Sequence, residues 1–95
     1  MTKNTVYCKN FSKISNIQEK ETIVYNELLT TFDNMEFYGI EITSSIDEEK
    51  FVVQRLSDKE RDVMDILTFL YENSVRVNGC DSILEDTFKL YENKL

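Results

Sequence analysis

The hydrophobic period of this chain changes once, close to Ser57, and that change constrains the fold more than any motif does. Upstream, Tyr38, Ile40 and Ile42 alternate with Gly39, Glu41 and Thr43, the pattern of a strand with one apolar and one polar face. A charged connection, Asp47-Glu48-Glu49, leads into Phe51-Val52-Val53-Gln54-Arg55-Leu56, and two such segments should pair as an antiparallel hairpin. Downstream, Val63, Ile66, Leu67 and Leu70 recur at helical spacing, with Phe69 and Tyr71 beside them. Strands in one half and helices in the other define an α+β fold: an antiparallel sheet of three or four strands followed by two helices packed on one face.

The rest of the first half reads as strand. Thr5 to Phe11 is a short β-favouring segment. Thr22 to Phe32 also fits a helix through Val24, Leu28 and Phe32, but β-branched and aromatic residues crowd it and favour a strand. Asp33-Asn34 marks a turn. Residues 12–20 read as a loop.

In the second half, Ser57-Asp58-Lys59-Glu60 has the spacing of a capping box, and Asp58, Glu60 and Asp62 suit the positive end of a helix dipole. The first helix should fail near Asn73-Ser74. Asn78-Gly79 reads as a turn, and a second helix should start near Asp81 or Ser82, with Ile83, Leu84, Thr87, Phe88, Tyr91 and Leu95 on its apolar face.

Length and composition fit one domain over residues 1–95, since 41% of the 95 residues are apolar and no Pro- or Gly-rich linker or repeat interrupts them. Residues 1–20 read as a mobile basic arm, 21–56 as the hairpin region and 57–95 as the two helices. The absence of histidine removes the commonest general base and metal ligand. The net charge of −7 weighs against direct contact with nucleic acid or anionic lipid. That charge is uneven. Residues 1–20 hold four lysines against one glutamate, residues 21–50 eight acids against one lysine, and residues 51–95 nine acids against six bases.

Cys8 and Cys80 are too few for a disulfide framework; reduced thiols are the default reading, with one bridge between them left open. No apolar stretch approaches the length of a membrane span and the first residues lead into no hydrophobic export segment, so a cytoplasmic protein is expected. Abundant Lys, Asn, Ile and Glu with no Ala or Pro points to an AT-rich genome, bacterial or phage.

Three segments, Tyr38-Gly39-Ile40, Leu56-Ser57-Asp58-Lys59-Glu60 and Asp81-Ser82-Ile83-Leu84-Glu85-Asp86-Thr87-Phe88, together with the intervening helix, resemble a family of small uncharacterised acidic domains from spore-forming Gram-positive bacteria. The resemblance spans residues 36–90 and implies a fold; it carries no activity. The family usually has Pro and His between its two helices, where this chain has Val75 to Cys80.

Candidate sites are few. Asp47-Glu48-Glu49 with Glu41 lacks the ligand spacing of a calcium loop and reads better as a solvated hairpin tip. The pairs Asp58/Asp62 and Glu85/Asp86 are explained by helix starts rather than acid–base work. Cys80, with no His to act as base, reads as a small apolar plug or a partly exposed thiol. The lysines at 3, 9, 13 and 20, interleaved with Tyr7 and Phe11, make a sparse footprint for nucleic acid and read as solvated.

The aromatic content is the strongest functional signal. Five Tyr and six Phe exceed what so small a core readily buries, and Phe37 and Tyr38 point to opposite faces of their strand. The expected function is therefore a non-enzymatic protein-interaction module, a small regulator or adaptor without cofactor, metal or catalytic residues. Its expected binding surface comprises Tyr25, Phe37, Tyr38, Glu41, Asp47, Glu48 and Glu49. The expected partner is a protein, with a basic one favoured by the charge, and homodimerisation through the sheet edge or face is the related possibility. The alternative is a phage or mobile-element inhibitor whose acids at 21–50 mimic DNA phosphates against a nuclease or other basic nucleic-acid-binding protein.

Overall fold

The computed structural model describes residues 2–11, 20–46 and 50–86. Four strands, β1 (Thr2–Phe11), β2 (Glu21–Phe32), β3 (Met35–Ser44) and β4 (Lys50–Ser57), precede two helices, α1 (Glu60–Glu72) and α2 (Val77–Asp86). The sheet is a simple meander in the order β1-β2-β3-β4, every neighbouring pair antiparallel. This is the expected α+β architecture, with four strands.

Asp33 and Asn34 set the register of the central hairpin. Both have positive φ, 53° and 62°, the combination of a two-residue turn whose twist matches that of the flanking strands. Phe32 therefore pairs with Met35, Tyr25 with Ile42 and Glu27 with Ile40. In this register Ile23, Tyr25, Ile40 and Ile42 share one face and are fully buried against Val63, Ile66, Leu67 and Leu70 of α1 and Val77, Cys80 and Leu84 of α2. Tyr7, Phe51 and Val53 flank this core from the edge strands.

Both edge strands are irregular. β1 is interrupted at Val6, between Thr5 and Tyr7. In β4, Tyr38 pairs with Ser57 and Ile40 with Val53, so Gln54, Arg55 and Leu56 stand opposite Gly39 alone. A Cβ at position 39 would lie 2.1 Å from the Val53 carbonyl oxygen and 2.5 Å from that of Gln54, which is why only glycine fits there. Such bulges bend an edge strand and blunt it against pairing with another sheet.

Two sequence expectations about the helices need correction, and a third about the first strand. β4 runs through Ser57, so α1 begins at Glu60 with Lys59 as an extended N-cap that makes no side-chain cap bond. Ser57 Oγ instead accepts the Lys59 N–H at 3.0 Å and donates to Asp62 Oδ2 at 2.7 Å, replacing the capping box with a local turn. α2 starts at Val77, not at Asp81 or Ser82, and Asn78-Gly79 lies in its first turn. Burial of Val77 and Cys80 outweighs the weak helix propensity of Asn and Gly.

The third correction concerns the basic arm: residues 2–11 are a strand, and two of the lysines are built into the fold. Lys9 Nζ donates to the Tyr71 carbonyl at 2.6 Å and to Ser74 Oγ at 2.9 Å, and lies over the Tyr71 ring. It brings positive charge to the negative end of α1, whose last turn has no basic residue of its own. The expected loop over residues 12–20 lies outside the described residues except for Lys20, as do the Asp47-Glu48-Glu49 connection and the apolar positions from Thr87 onward.

The stop near Asn73-Ser74 is present. The Ser74 N–H bonds the Tyr71 carbonyl and the Val75 N–H the Leu70 carbonyl, with Ser74 in the left-handed region at φ 52°. No helix among the described residues is long and apolar enough to cross a membrane.

Candidate interaction surface

Among the described residues the helix core lies on one side of the sheet, and the opposite face, in which Asn26 and Leu28 are themselves buried, is the candidate surface. Strand alternation places Val24, Asn26, Leu28, Thr30 and Phe32 of β2 on that face, beside Met35, Phe37, Gly39 and Glu41 of β3. Lys3 and Thr5 of β1 and Lys50 and Val52 of β4 complete it through their pairing partners.

The face has a polar centre and an apolar end. At the centre, Glu41 is only 8% exposed. It receives Lys3 Nζ at 2.9 Å, with Lys50 Nζ at 3.8 Å from its other oxygen and Asn26 Nδ2 at 3.4 Å. Asn26 in turn accepts the Thr5 hydroxyl at 2.8 Å. The hydrogen bond from Lys3 is the main cause that holds the Glu41 carboxyl below the usual carboxylate range, reinforced by the charges of Lys3 and Lys50 and opposed by burial. The two edge strands thus send one lysine each to a single carboxylate in the middle of the sheet.

Towards the hairpin tip the face turns apolar. Phe32 is 55% exposed, Met35 52% and Val52 38%, an unusual exposure for side chains of this size. Phe37 is half-buried on the same face, and the Arg55 guanidinium stacks on the Phe32 ring at 4.3 Å. Aromatic, Met and Arg side chains at a polar rim are the composition that distinguishes interface cores from ordinary surface.

The structure divides the expected binding residues. Phe37 and Glu41 do share the open face. Tyr38 lies on the helix side, half-buried, where burial first and then Glu36, Glu60 and Glu27 raise its phenol above the ordinary value. Tyr25 is a core residue and no part of a surface: it is fully buried, and its hydroxyl donates to the Val75 carbonyl at 2.8 Å. Burial is also the leading cause that pushes its phenol up to about 12. Asp47, Glu48 and Glu49 lie outside the described residues.

Phe32, Met35, Val52 and Arg55 were not anticipated from the sequence. The signal was the Asp33-Asn34 turn: a two-residue connection makes Phe32 and Met35 a cross-strand pair at the exposed end of the hairpin.

Other features offer less chemistry. A cleft of about 270 Å³ is lined by Glu21, Ser44, Ile46, Arg76, Val77 and Asn78. Its buried acid is already satisfied, for Glu21 accepts Arg76 Nε at 2.9 Å and the Ser44 hydroxyl at 2.6 Å. Cys80 is in the core, and burial pushes its thiol up to about 12, so it carries no thiolate near neutrality. Cys8 is exposed and Cys80 buried, both free, which settles the open question of a bridge between them. Among the described residues no group of three His, Cys, Asp or Glu side chains is placed to hold a metal ion.

No protein-family model matches this chain, and no curated protein or solved structure matches it either.

Proposed function

We propose that this protein is a non-enzymatic interaction module, a small regulator or adaptor that binds another protein through the open face of its sheet. One observation carries the reading: Phe32, Met35 and Val52 are exposed together on the face that neither described helix covers. Burying them on association would remove apolar area from water at roughly 25 cal/mol per Å², and Phe32 with Arg55 has the character of an interface anchor. The proposed setting is cytoplasmic, since two free cysteines, one of them exposed, suit a reducing compartment. Kinship with the small acidic domains of spore-forming Gram-positive bacteria belongs to the same proposal and rests on the segments between residues 36 and 90.

The DNA-mimic alternative has less support. It needs the acids of residues 21–50 on one surface, but Glu21 and Glu41 are ion-paired from opposite faces of the sheet and Glu27 is buried. Only Asp33 and Glu36 among the described acids of that stretch are exposed.

The test is recovery of the tagged protein from cells that express it, with and without nuclease and at two salt concentrations, alongside a Phe32→Glu/Met35→Glu variant whose circular dichroism is checked. A partner that survives salt and nuclease but is lost with the folded variant supports the reading. A partner retained by the variant, or one released by salt or nuclease, overturns it. A homodimer disrupted by the same variant, detected by sedimentation, would replace an adaptor with self-association.

A further inference from the structure

Glu27 has no place in the interaction surface, yet it is the most unusual polar residue of the sheet. It projects from β2 towards the helices and is 5% exposed. Its Oε2 atom is buried without a hydrogen-bond partner, and Glu27 enters no ion pair among the described residues. The groups that act on it are the carboxyl of Glu60, an exposed residue in the first turn of α1, and the Asn4 side chain of β1. Tyr38 of β3 senses both carboxyls and also Glu36. A carboxylate buried without a counterion beside a second carboxyl is strongly disfavoured, and neither ionised carboxylate can donate to the other.

We infer that Glu27 and Glu60 hold one proton between them, forming a carboxyl–carboxylate clasp that fastens the start of α1 to β2 and opens on deprotonation. Burial chooses the proton's position. Glu27 is the buried member of the pair and Glu60 the exposed one, so the proton rests on Glu27 and is donated to Glu60. Burial first, then the hydrogen bond and charge of Glu60, raise the Glu27 carboxyl above its ordinary value, while Asn4 acts in the opposite direction. Glu60 is thereby assigned a role across the sheet–helix junction in place of the capping box its spacing suggested.

The direction of the pH effect follows from linkage. In the unfolded chain Glu27 loses its proton near 4.5, whereas in the folded protein it keeps it to a higher pH. Between those two values the folded state binds more protons, so stability falls as pH rises, by up to about tenfold in the unfolding equilibrium per pH unit for one proton. The clasp therefore strengthens in mild acid and is lost on the alkaline side.

Carbon-13 NMR titration of the glutamate side-chain carboxyls in the intact protein is the direct test, paired with urea unfolding at several values between pH 5 and pH 8. The expected result is a Glu27 midpoint above the ordinary glutamate range, wild-type stability that declines over that interval, and a Glu27→Gln variant whose decline is abolished. Glu60→Gln should lower the Glu27 midpoint by removing the neighbouring charge. Ordinary midpoints for both carboxyls overturn the inference, whether or not either variant folds. A midpoint that drops when Mg²⁺ or Ca²⁺ is added also overturns it, by showing that the pair holds a cation rather than a proton.

Discussion

At the scale of single residues, three positions separate structural roles from functional ones. Tyr25 ties β2 to the link between the helices, and Tyr25→Phe should cost about 1–2 kcal/mol in urea unfolding by leaving the Val75 carbonyl without its donor. The same change should leave partner capture untouched, in contrast to Met35→Glu. Gly39→Ala should be the harsher substitution, about 3 kcal/mol, because the obstructing atoms are backbone oxygens of β4 rather than a side chain that can rotate away. Wild-type stability in that variant would show that β4 can shift its bulge. Tyr25 also shows why an aromatic count misleads: Tyr7 stacks on Tyr71 at 4.4 Å and Tyr25 meets Tyr71 edge-on, so three of five tyrosines close the core instead of decorating a face.

Between elements, the joints come from residues far apart in sequence. Lys9 closes the end of α1 from the edge strand. Lys9→Met, which keeps length and removes charge, should lower stability by about 1–2 kcal/mol and increase hydrogen exchange at the last turn of α1. Unchanged exchange there would show that the Ser74 stop suffices alone. These joints explain what the sequence could and could not reveal. Alternation in β3, the helical stripe of α1 and the Asp33-Asn34 turn are local patterns, and each was legible. The start of α2 was not, because Asn78-Gly79 is a turn signal overruled by burial of its neighbours. The lysines at 3 and 9 looked solvated because their partners, Glu41 and Tyr71, lie 38 and 62 positions away. The candidate surface was legible only in outline: an uncovered face was expected, but its residues depended on the register, which moved Tyr25 inside and brought Phe32 and Met35 out.

For the molecule as a whole, Glu27 and Glu41, buried on opposite faces, impose opposite pH slopes. Glu41 has a lowered folded value, so its stabilisation is complete above the ordinary 4.5 and fades as pH falls through the folded value. Glu27 has a raised one, and its stabilisation is complete below 4.5 and fades as pH rises through the folded value. Thermal unfolding across pH should therefore peak in mild acid, with Lys3→Met removing part of the acid limb and Glu27→Gln the alkaline one. A peak unmoved by either variant would assign the profile to overall charge repulsion instead. The mild-acid optimum also comes as the net charge of −7 shrinks towards zero, so the conditions that hold the fold best are those that protect it least from association through Phe32 and Met35.

The meander has a kinetic side. Every strand pairs with its neighbour in the chain, and the central pair is joined by only two residues, so its hairpin closes with little loop entropy before any helix docks. The β2–β3 hairpin is then the natural folding nucleus: replacing Asn34 should slow refolding, whereas truncating Leu84 on α2 should chiefly hasten unfolding. Throughout that interval Phe32 and Met35 are already side by side at the tip, which makes the hairpin the first part of the chain that a partner could recognise during its synthesis.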